Sequence, residues 1–356
     1  MILTFKVKHN LQLDPSLFEK AIKVAQFACE HKGEQMSSKT VKCFGLHSHI
    51  SCQLIRKYGK NKTIKRVNPR NVKLIVPGQR VKIDHASHSL YVPQFKTTFN
   101  FWFRNDFTKV NQIEFDKKWA WVSVTVPDVE ITKHDKFIGI DLNSTSHSVV
   151  VADPSTGKVK KLGKQIPFLK KKYKNIRKKL QKQGNFKQVK QVSKRERNKT
   201  QDLLHKITTN IVKQAKKEGK GIRIEDLKGI RKRCSKKYHK EMNFTLNSWP
   251  FFEFRRMLTY KAKKFGVELQ AIDPRWTSQK CSRCGCVDKQ NRHGKKFYCK
   301  TCGHVDHADV NAAFNIALHP APTEKRVISS RERDRGEGSV APRMGNRMKA
   351  TNPQVL

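Results

Sequence analysis

The sequence predicts an α/β fold carrying an inserted four-cysteine zinc ribbon, preceded by a β-barrel with a short helical insertion. Three observations predict it. Cys281-Ser-Arg-Cys284 and Cys299-Lys-Thr-Cys302 are two CxxC pairs separated by fourteen residues, a spacing that suits a hairpin ribbon around one tetrahedral metal. Two apolar runs that end on an acid, Phe137-Ile-Gly-Ile-Asp141 and Gly221-Ile-Arg-Ile-Glu225, alternate with long helical stretches. Residues 63–130 hold several strand-like segments divided by turn residues, the pattern of a small barrel or sandwich.

Residues 1–10 open on the alternation Met1-Ile-Leu-Thr-Phe-Lys-Val-Lys8, a strand and not a signal peptide. Leu17, Phe18, Ala21, Ile22, Val24, Ala25 and Ala28 then recur at helical steps, and a second helix is expected from His47 to Tyr58, so residues 11–62 read as a helical insertion. Val72–Val76, Arg80–Ile83, Thr97–Phe103 and Trp119–Val126 supply the strands of residues 63–135. A second domain is expected at 136–280 and 303–319, interrupted by the ribbon at 281–302. Its first strand ends on Asp141, and His147–Ala152 is the expected hairpin partner. Residues 168–219 predict a basic helical hairpin broken near Gly184-Asn185. A helix from Trp249 to Phe265 stops at Gly266, Val267–Ile272 is a strand, and a last helix runs from Asp309 to about Leu318. Residues 320–356 are rich in Arg, Gly, Ser and Pro and read as a disordered basic tail.

The 356 residues carry 76 Lys+Arg against 29 Asp+Glu, a formal net charge of +47. A chain so charged repels itself unless it meets a polyanion, and nucleic acid is the obvious one. Nine cysteines, of which only four fall in CxxC pairs, favour a metal site in a reducing compartment over a disulfide framework. No apolar run is long enough to span a membrane.

Cys281, Cys284, Cys299 and Cys302 are the expected structural zinc ligands, with Gly285 and Gly303 closing the two turns. Cys286, His304 and His307 lie nearby and are not needed. Lys280, Arg283, Lys289, Arg292, Lys295 and Lys296 surround the ribbon and read as nucleic-acid contacts. Phosphodiester cleavage with two hard cations needs carboxylates that converge. Asp141 and Glu225 close strands and Asp309 opens a helix, so the three could meet at one sheet edge, with Asp226, Asp273 and Asp306 set aside. Lys170, Lys171, Lys172, Lys174, Arg177, Lys178, Lys179 and Lys182 form a dense positive run expected to contact phosphates. Trp249, Phe251, Phe252 and Phe254 are expected in the core, while Phe101, Trp102 and Phe103 include a candidate for base stacking.

Gly139-Ile-Asp141-Leu-Asn143, Ile224-Glu225-Asp226-Leu227, Asp273-Pro274 with Thr277-Ser-Gln-Lys-Cys281-Ser-Arg-Cys284-Gly285, Cys299-Lys-Thr-Cys302-Gly303 and Asp309-Val-Asn311-Ala-Ala313 stand in this order. They resemble the RuvC-I, RuvC-II, zinc-ribbon and RuvC-III motifs of the TnpB (OrfB) family, transposon-encoded RNA-guided DNA nucleases related to the type V CRISPR effectors. The resemblance covers roughly residues 136–318. It implies an RNase H-like (RuvC) nuclease domain in which Asp141, Glu225 and Asp309 carry two catalytic magnesium ions. It also implies that the barrel is a wedge domain and its helices a recognition insertion. The implied partners are an omega-type guide RNA and target double-stranded DNA recognised beside a short adjacent motif. The implied assembly is a monomeric ribonucleoprotein in a prokaryotic cytoplasm, at the nucleoid when bound to DNA. The alternatives are an RNA-guided repressor that does not cut, a DNA transposase, and an RNA-binding zinc protein. The order Asp, Glu, Asp argues against a transposase, whose acids run Asp, Asp, Glu, and the presence of all three acids argues against a repressor.

Overall fold

The computed structural model describes residues 1–101, 106–227 and 240–320. Trp102, Phe103, Cys234 and residues 321–356 of the expected tail lie outside the described residues. The chain divides into two units, Met1–Ile131 and a second that begins at Thr132.

In the first unit, β1 (Ile2–Lys8) alternates exposed and half-buried positions, as a strand with one packed face must. The Asp14 side chain caps α1 (Pro15–Glu30) by accepting from Ser16 N at 2.8 Å. Phe18, Ala21, Val24, Ala25 and Ala28 form its buried stripe. Helix α2 (Ser48–Tyr58) buries Ile50, Leu54, Ile55 and Tyr58. Six strands follow: β2 (Leu74–Pro77), β3 (Lys82–Asp84), β4 (Ser89–Val92), β5 (Thr97–Asn100), β6 (Lys109–Phe115) and β7 (Trp119–Thr125). They make two antiparallel sheets, ordered β1-β7-β6-β2 and β3-β4-β5. Both sheets and both helices feed one core, in which Phe95, Phe99 and His9 meet the fully buried Phe115 edge-on. Among the described residues no ladder joins the two sheets, so the expected barrel takes the form of two sheets over a shared core. Phe101, a stacking candidate in the sequence, is 4% exposed and belongs to that core.

The second unit is built on β8 (Phe137–Leu142), β9 (Val149–Ala152) and β10 (Val159–Leu162). Then come α3 (Gln165–Lys182), α4 (Phe186–Lys217), β11 (Gly221–Glu225), α5 (Lys240–Ser248), α6 (Phe251–Phe265) and β12 (Leu269–Ile272). The sheet order is β10-β9-β8-β11-β12: two antiparallel pairings, then two parallel ones. Strand β10 was not foreseen; Val159-Lys-Lys-Leu162 is too short and polar to stand out, and forms as the third limb after the Asp153–Gly157 turn. That turn is held by a buried ion pair, Lys220 Nζ to Asp153 Oδ2 at 2.5 Å. Burial alone would raise the Asp153 carboxyl, but bonds from Lys220, Thr156 and Ser155 outweigh it and hold it down at about 2.

Strand periodicity sorts the sheet's two faces. Ile138, Ile140, Ile222 and Ile224 pack into one cluster with Leu204, Ile211, Phe254, Met257 and Leu258 of α4 and α6. Trp249 and Phe254 lie in this cluster as expected, whereas Phe252 is 56% exposed. The intervening positions, Gly139, Asp141, Arg223 and Glu225, face the other way. That face is covered by α7 (Ala308–Ala317), whose Val310 and Ala313 pack on Val150 and Ala152. Arg223 Nη1 donates to Ala317 O at 2.7 Å across the same face. A side chain at position 139 has no room, since a Cβ there would lie 2.0 Å from Ala313 O.

Candidate acidic site and four-cysteine cluster

Asp141 and Glu225 reach the same sheet edge because β8 and β11 are parallel and in register. Ile140 is paired with Ile224, so the next residue on each strand is an acid at the strand's carboxyl end. Helix α7 lies on this face and brings Asp309, 1% exposed, in its first turn. The helix begins at Ala308 and is capped by His307, so Asp309 does not spend its carboxylate as the cap. The structure thus brings the three sequence-predicted acids together. Burial first, and then the negative charges of Glu225 and Asp309, push the Asp141 carboxyl up to about 8. Glu225 is likewise raised by burial, against the lowering effect of Thr277 and Arg292.

Each acid has a partner that the sequence reading did not assign to it. Asn143 Nδ2 donates to Asp141 Oδ2 at 2.7 Å. Thr277 Oγ1 donates to Glu225 Oε1 at 2.5 Å. Lys295 Nζ lies 2.6 Å from Asp309 Oδ2 and 3.3 Å from Asn143 Oδ1. Arg292 Nη2 is 3.5 Å from Asp309 Oδ1, and that buried oxygen has no hydrogen-bond partner. Lys295 and Arg292, expected beside the ribbon as basic residues, therefore lie against Asp309. The visible signal for Asn143 and Thr277 was their place two residues after Asp141 and four before Cys281. A buried carboxylate oxygen of Asp309 without a donor, beside an Asp141 whose proton affinity Glu225 and Asp309 raise, suits a hard divalent cation.

The ribbon carries β13 (Arg292–His293), β14 (Lys296–Tyr298) and β15 (Val305–His307) in one antiparallel sheet. Its four cysteines, Cys281, Cys284, Cys299 and Cys302, place their sulfurs within 4.8 Å of one another. Among the described residues no other group of three or more such donors is so close. Gly285 and Gly303 adopt φ of +78° and +68°, and each donates back to the first cysteine of its pair, at 3.0 and 2.9 Å. The left-handed turn is why glycine follows each pair. Cys286, His304 and His307 stand outside the sulfur cluster, and His307 Nδ1 instead accepts from Asp309 N at 3.3 Å. Four converging thiols can hold one metal ion and leave no open ligand position.

The basic run on α3 is not uniform. Lys171, Lys172, Lys178, Lys179 and Lys182 are exposed. Lys170 and Arg177 instead turn inward to the buried Glu196 of α4, and Lys174 Nζ sits 4.0 Å over the Phe244 ring. Among the described residues no helix is long and apolar enough to cross a membrane.

Residues 251–316 match the family model of the Cas12f1-like TNB domain. A CRISPR-associated endodeoxyribonuclease Cas12f1 of Sulfoacidibacillus thermotolerans is 30% identical over 57% of this chain and 49% of its own length. A TnpB-like protein of Methanocaldococcus jannaschii is 28% identical over 67% of this chain and 90% of its own. Over these segments the chain is similar to TnpB-like proteins and to a type V effector. The chain spans about half the length of the Sulfoacidibacillus protein. Among solved structures it is similar to a Cas12f1–sgRNA–target DNA complex, with a TM-score of 0.44 and 16% identity over 90% of this chain and 99% of that one.

Proposed function

We propose that the protein is an RNA-guided, magnesium-dependent DNA endonuclease that hydrolyses phosphodiester bonds at a single RuvC-type site. The observation that carries this reading is that Asp141, Glu225 and Asp309, from two strands and a helix, meet at one sheet edge, with Asp141 and Asp309 buried and Glu225 half-buried. Carboxylates that raise the proton affinity of Asp141 at one sheet edge are relieved by a bound proton or by a divalent cation, and magnesium is the hard cation that suits oxygen donors. Asp141, Glu225 and Asp309 would hold it. When bound, magnesium activates water and stabilises the leaving 3′-oxygen. The chain's own part is orientation: Asn143 fixes one oxygen of Asp141 and Thr277 one oxygen of Glu225.

The mixed sheet with helices on both faces supports an RNase H-like reading of residues 136–280 and 303–319. The cysteine cluster would take zinc as a structural ion. Residues 1–10 and 63–135 would be the wedge, 11–62 the recognition insertion, and the exposed lysines of α3 a phosphate-contacting strip. Relatives named as endodeoxyribonucleases favour target DNA as the substrate, and the charge of +47 favours a bound guide RNA.

The test begins with the RNA that co-purifies when the gene is expressed with its flanking DNA. One abundant species mapping beside the gene, with a variable end, is expected. With that RNA, wild type should cut matched duplex DNA in magnesium. Asp141→Ala should lose cutting by at least about a thousandfold while keeping RNA and DNA binding. A smear of host RNA, or loss of binding in Asp141→Ala, would overturn the reading.

A further inference from the structure

The four-cysteine cluster and the acidic patch are joined by two buried asparagines. Asn311 and Asn315 lie one turn apart on α7, 0% and 6% exposed. Asn311 uses both ends of its amide on the peptides that flank Cys281: Nδ2 donates to Lys280 O at 2.8 Å and Oδ1 accepts from Ser282 N at 2.9 Å. Asn315 Nδ2 donates to Lys280 O at 2.6 Å and to Thr277 O at 2.9 Å. Thr277 in turn holds Glu225 through its hydroxyl. Asp309 sits two residues before Asn311 on the same helix.

Two buried paths follow. One runs from Cys281 through Asn311 and the first turn of α7 to Asp309. The other runs from Lys280, beside Cys281, through Asn315 and Thr277 to Glu225. A third brace holds the second cysteine pair: Asn291, fully buried, donates to Gln279 O at 3.2 Å and accepts from Lys300 N at 3.3 Å. A buried amide that satisfies both its ends fixes what it touches, because breaking either bond leaves an unpaired polar group in the interior. The ribbon therefore does more than close on itself. Its first cysteine turn is clamped to the helix that carries one acid and to the threonine that orients another.

We propose that Asn311 and Asn315 are positioning residues that couple the two metal sites, so that the state of the cysteine cluster sets the divalent-cation affinity of Asp141, Glu225 and Asp309. With the four thiols holding their ion, Cys281 is fixed, and with it Lys280 and Ser282. With the ion removed, the clamp has nothing rigid to hold and the acids lose their common register. The coupling rests on the reading of the three acids as the divalent-cation site. It makes the ribbon a regulatory element of that site, responsive to the metal its four thiols hold.

The test is Mn2+ binding by the full-length protein, followed by electron paramagnetic resonance of free Mn2+, alongside zinc content and the binding of its co-purified RNA. Asn311→Ala should keep one zinc per chain and wild-type RNA affinity, while Mn2+ affinity falls roughly 10-fold or more, the cost of losing an outer-shell partner of a metal site. Thr277→Val should weaken Mn2+ binding similarly, and Thr277→Ser, which keeps the hydroxyl, should restore it. That pair decides the matter if Asn311→Ala does not fold. Wild-type Mn2+ affinity in zinc-loaded Asn311→Ala, or in Thr277→Val, would overturn the coupling while leaving the acid site intact. Wild-type protein that takes up no Mn2+, or an Asp309→Ala variant that binds it as well as wild type does, would overturn the acid-site reading and the coupling with it.

Discussion

Lys295 occupies the place at Asp309 where a cation is wanted. Its ammonium lies 2.6 Å from Asp309 Oδ2 and 3.3 Å from Asn143 Oδ1, while the side chain keeps 38% of its surface in solvent. A half-exposed lysine on a flexible stem neutralises a carboxylate at little cost and leaves it as readily. It competes with any divalent ion for that oxygen. Lys295→Ala is therefore expected to lower the Mn2+ concentration for half-saturation, by roughly threefold, the scale of a partly exposed ion pair. The titration that tests Asn311 measures this as well, with the opposite sign. An unchanged or weakened affinity would mean that Lys295 helps to hold the site open instead of filling it. Arg292, with its planar fork and a longer 3.5 Å approach to Asp309 Oδ1, does not substitute for this ammonium.

Among elements, the contact between β8 and α7 decides whether the acids meet. Gly139 lies two residues before Asp141 on the strand face that α7 covers, and a Cβ there would meet Ala313 O at 2.0 Å and Ala317 N at 2.5 Å. Both are backbone atoms and neither can rotate away, so Gly139→Ala must lift the helix from the sheet. The expected cost is about 2 kcal/mol by the measure of overpacked cores, seen as a lower Tm. Divalent-cation affinity should fall with it, because Asp309 moves with the helix. Were Tm and Mn2+ affinity both unchanged, the helix would not be set by this contact. This close approach explains what could be read from the sequence and what could not. Strand and helix endings at Asp141, Glu225 and Asp309 were legible because each acid follows or opens an apolar run. The cysteine cluster was legible from spacing alone. The face on which each acid would lie was not, since it depends on the parallel register of Ile140 with Ile224, which no local pattern encodes. Lys295, Arg292 and Thr277 were not legible as partners of the acids for a like reason. Arg292 and Lys295 reach Asp309 from the ribbon hairpin, and Thr277 reaches Glu225 from the segment before it, 52 residues away in sequence, so no local pattern pairs them. Lys170 and Arg177 were read as free cations because the single acid they turn to, Glu196, is on the other limb of the helical hairpin.

The whole molecule is dominated by charge. With 76 basic against 29 acidic side chains, most cations have no acid to meet, and the folded chain repels itself over distances that salt screens within about 10 Å at 0.1 M. Bound RNA would reverse the sign of this problem. Phosphates would replace repulsion by attraction, and added salt would then weaken the complex as counterions compete for the same cations. The protein freed of nucleic acid and its RNA complex should therefore respond to salt in opposite directions. Raising sodium chloride from 50 to 200 mM is expected to raise the Tm of the RNA-free protein, since screening relieves repulsion in the compact state. It is expected to lower the Tm of the complex toward that of the free protein, and to weaken RNA binding by about a thousandfold if six or more phosphates are neutralised. Thermal melts at the two salt concentrations, with and without the co-purified RNA, measure both slopes on one preparation. Parallel slopes would mean that the positive charge does not serve a polyanion. Crossing slopes, with RNA affinity falling steeply and linearly in log salt, are what a chain folded around its guide requires.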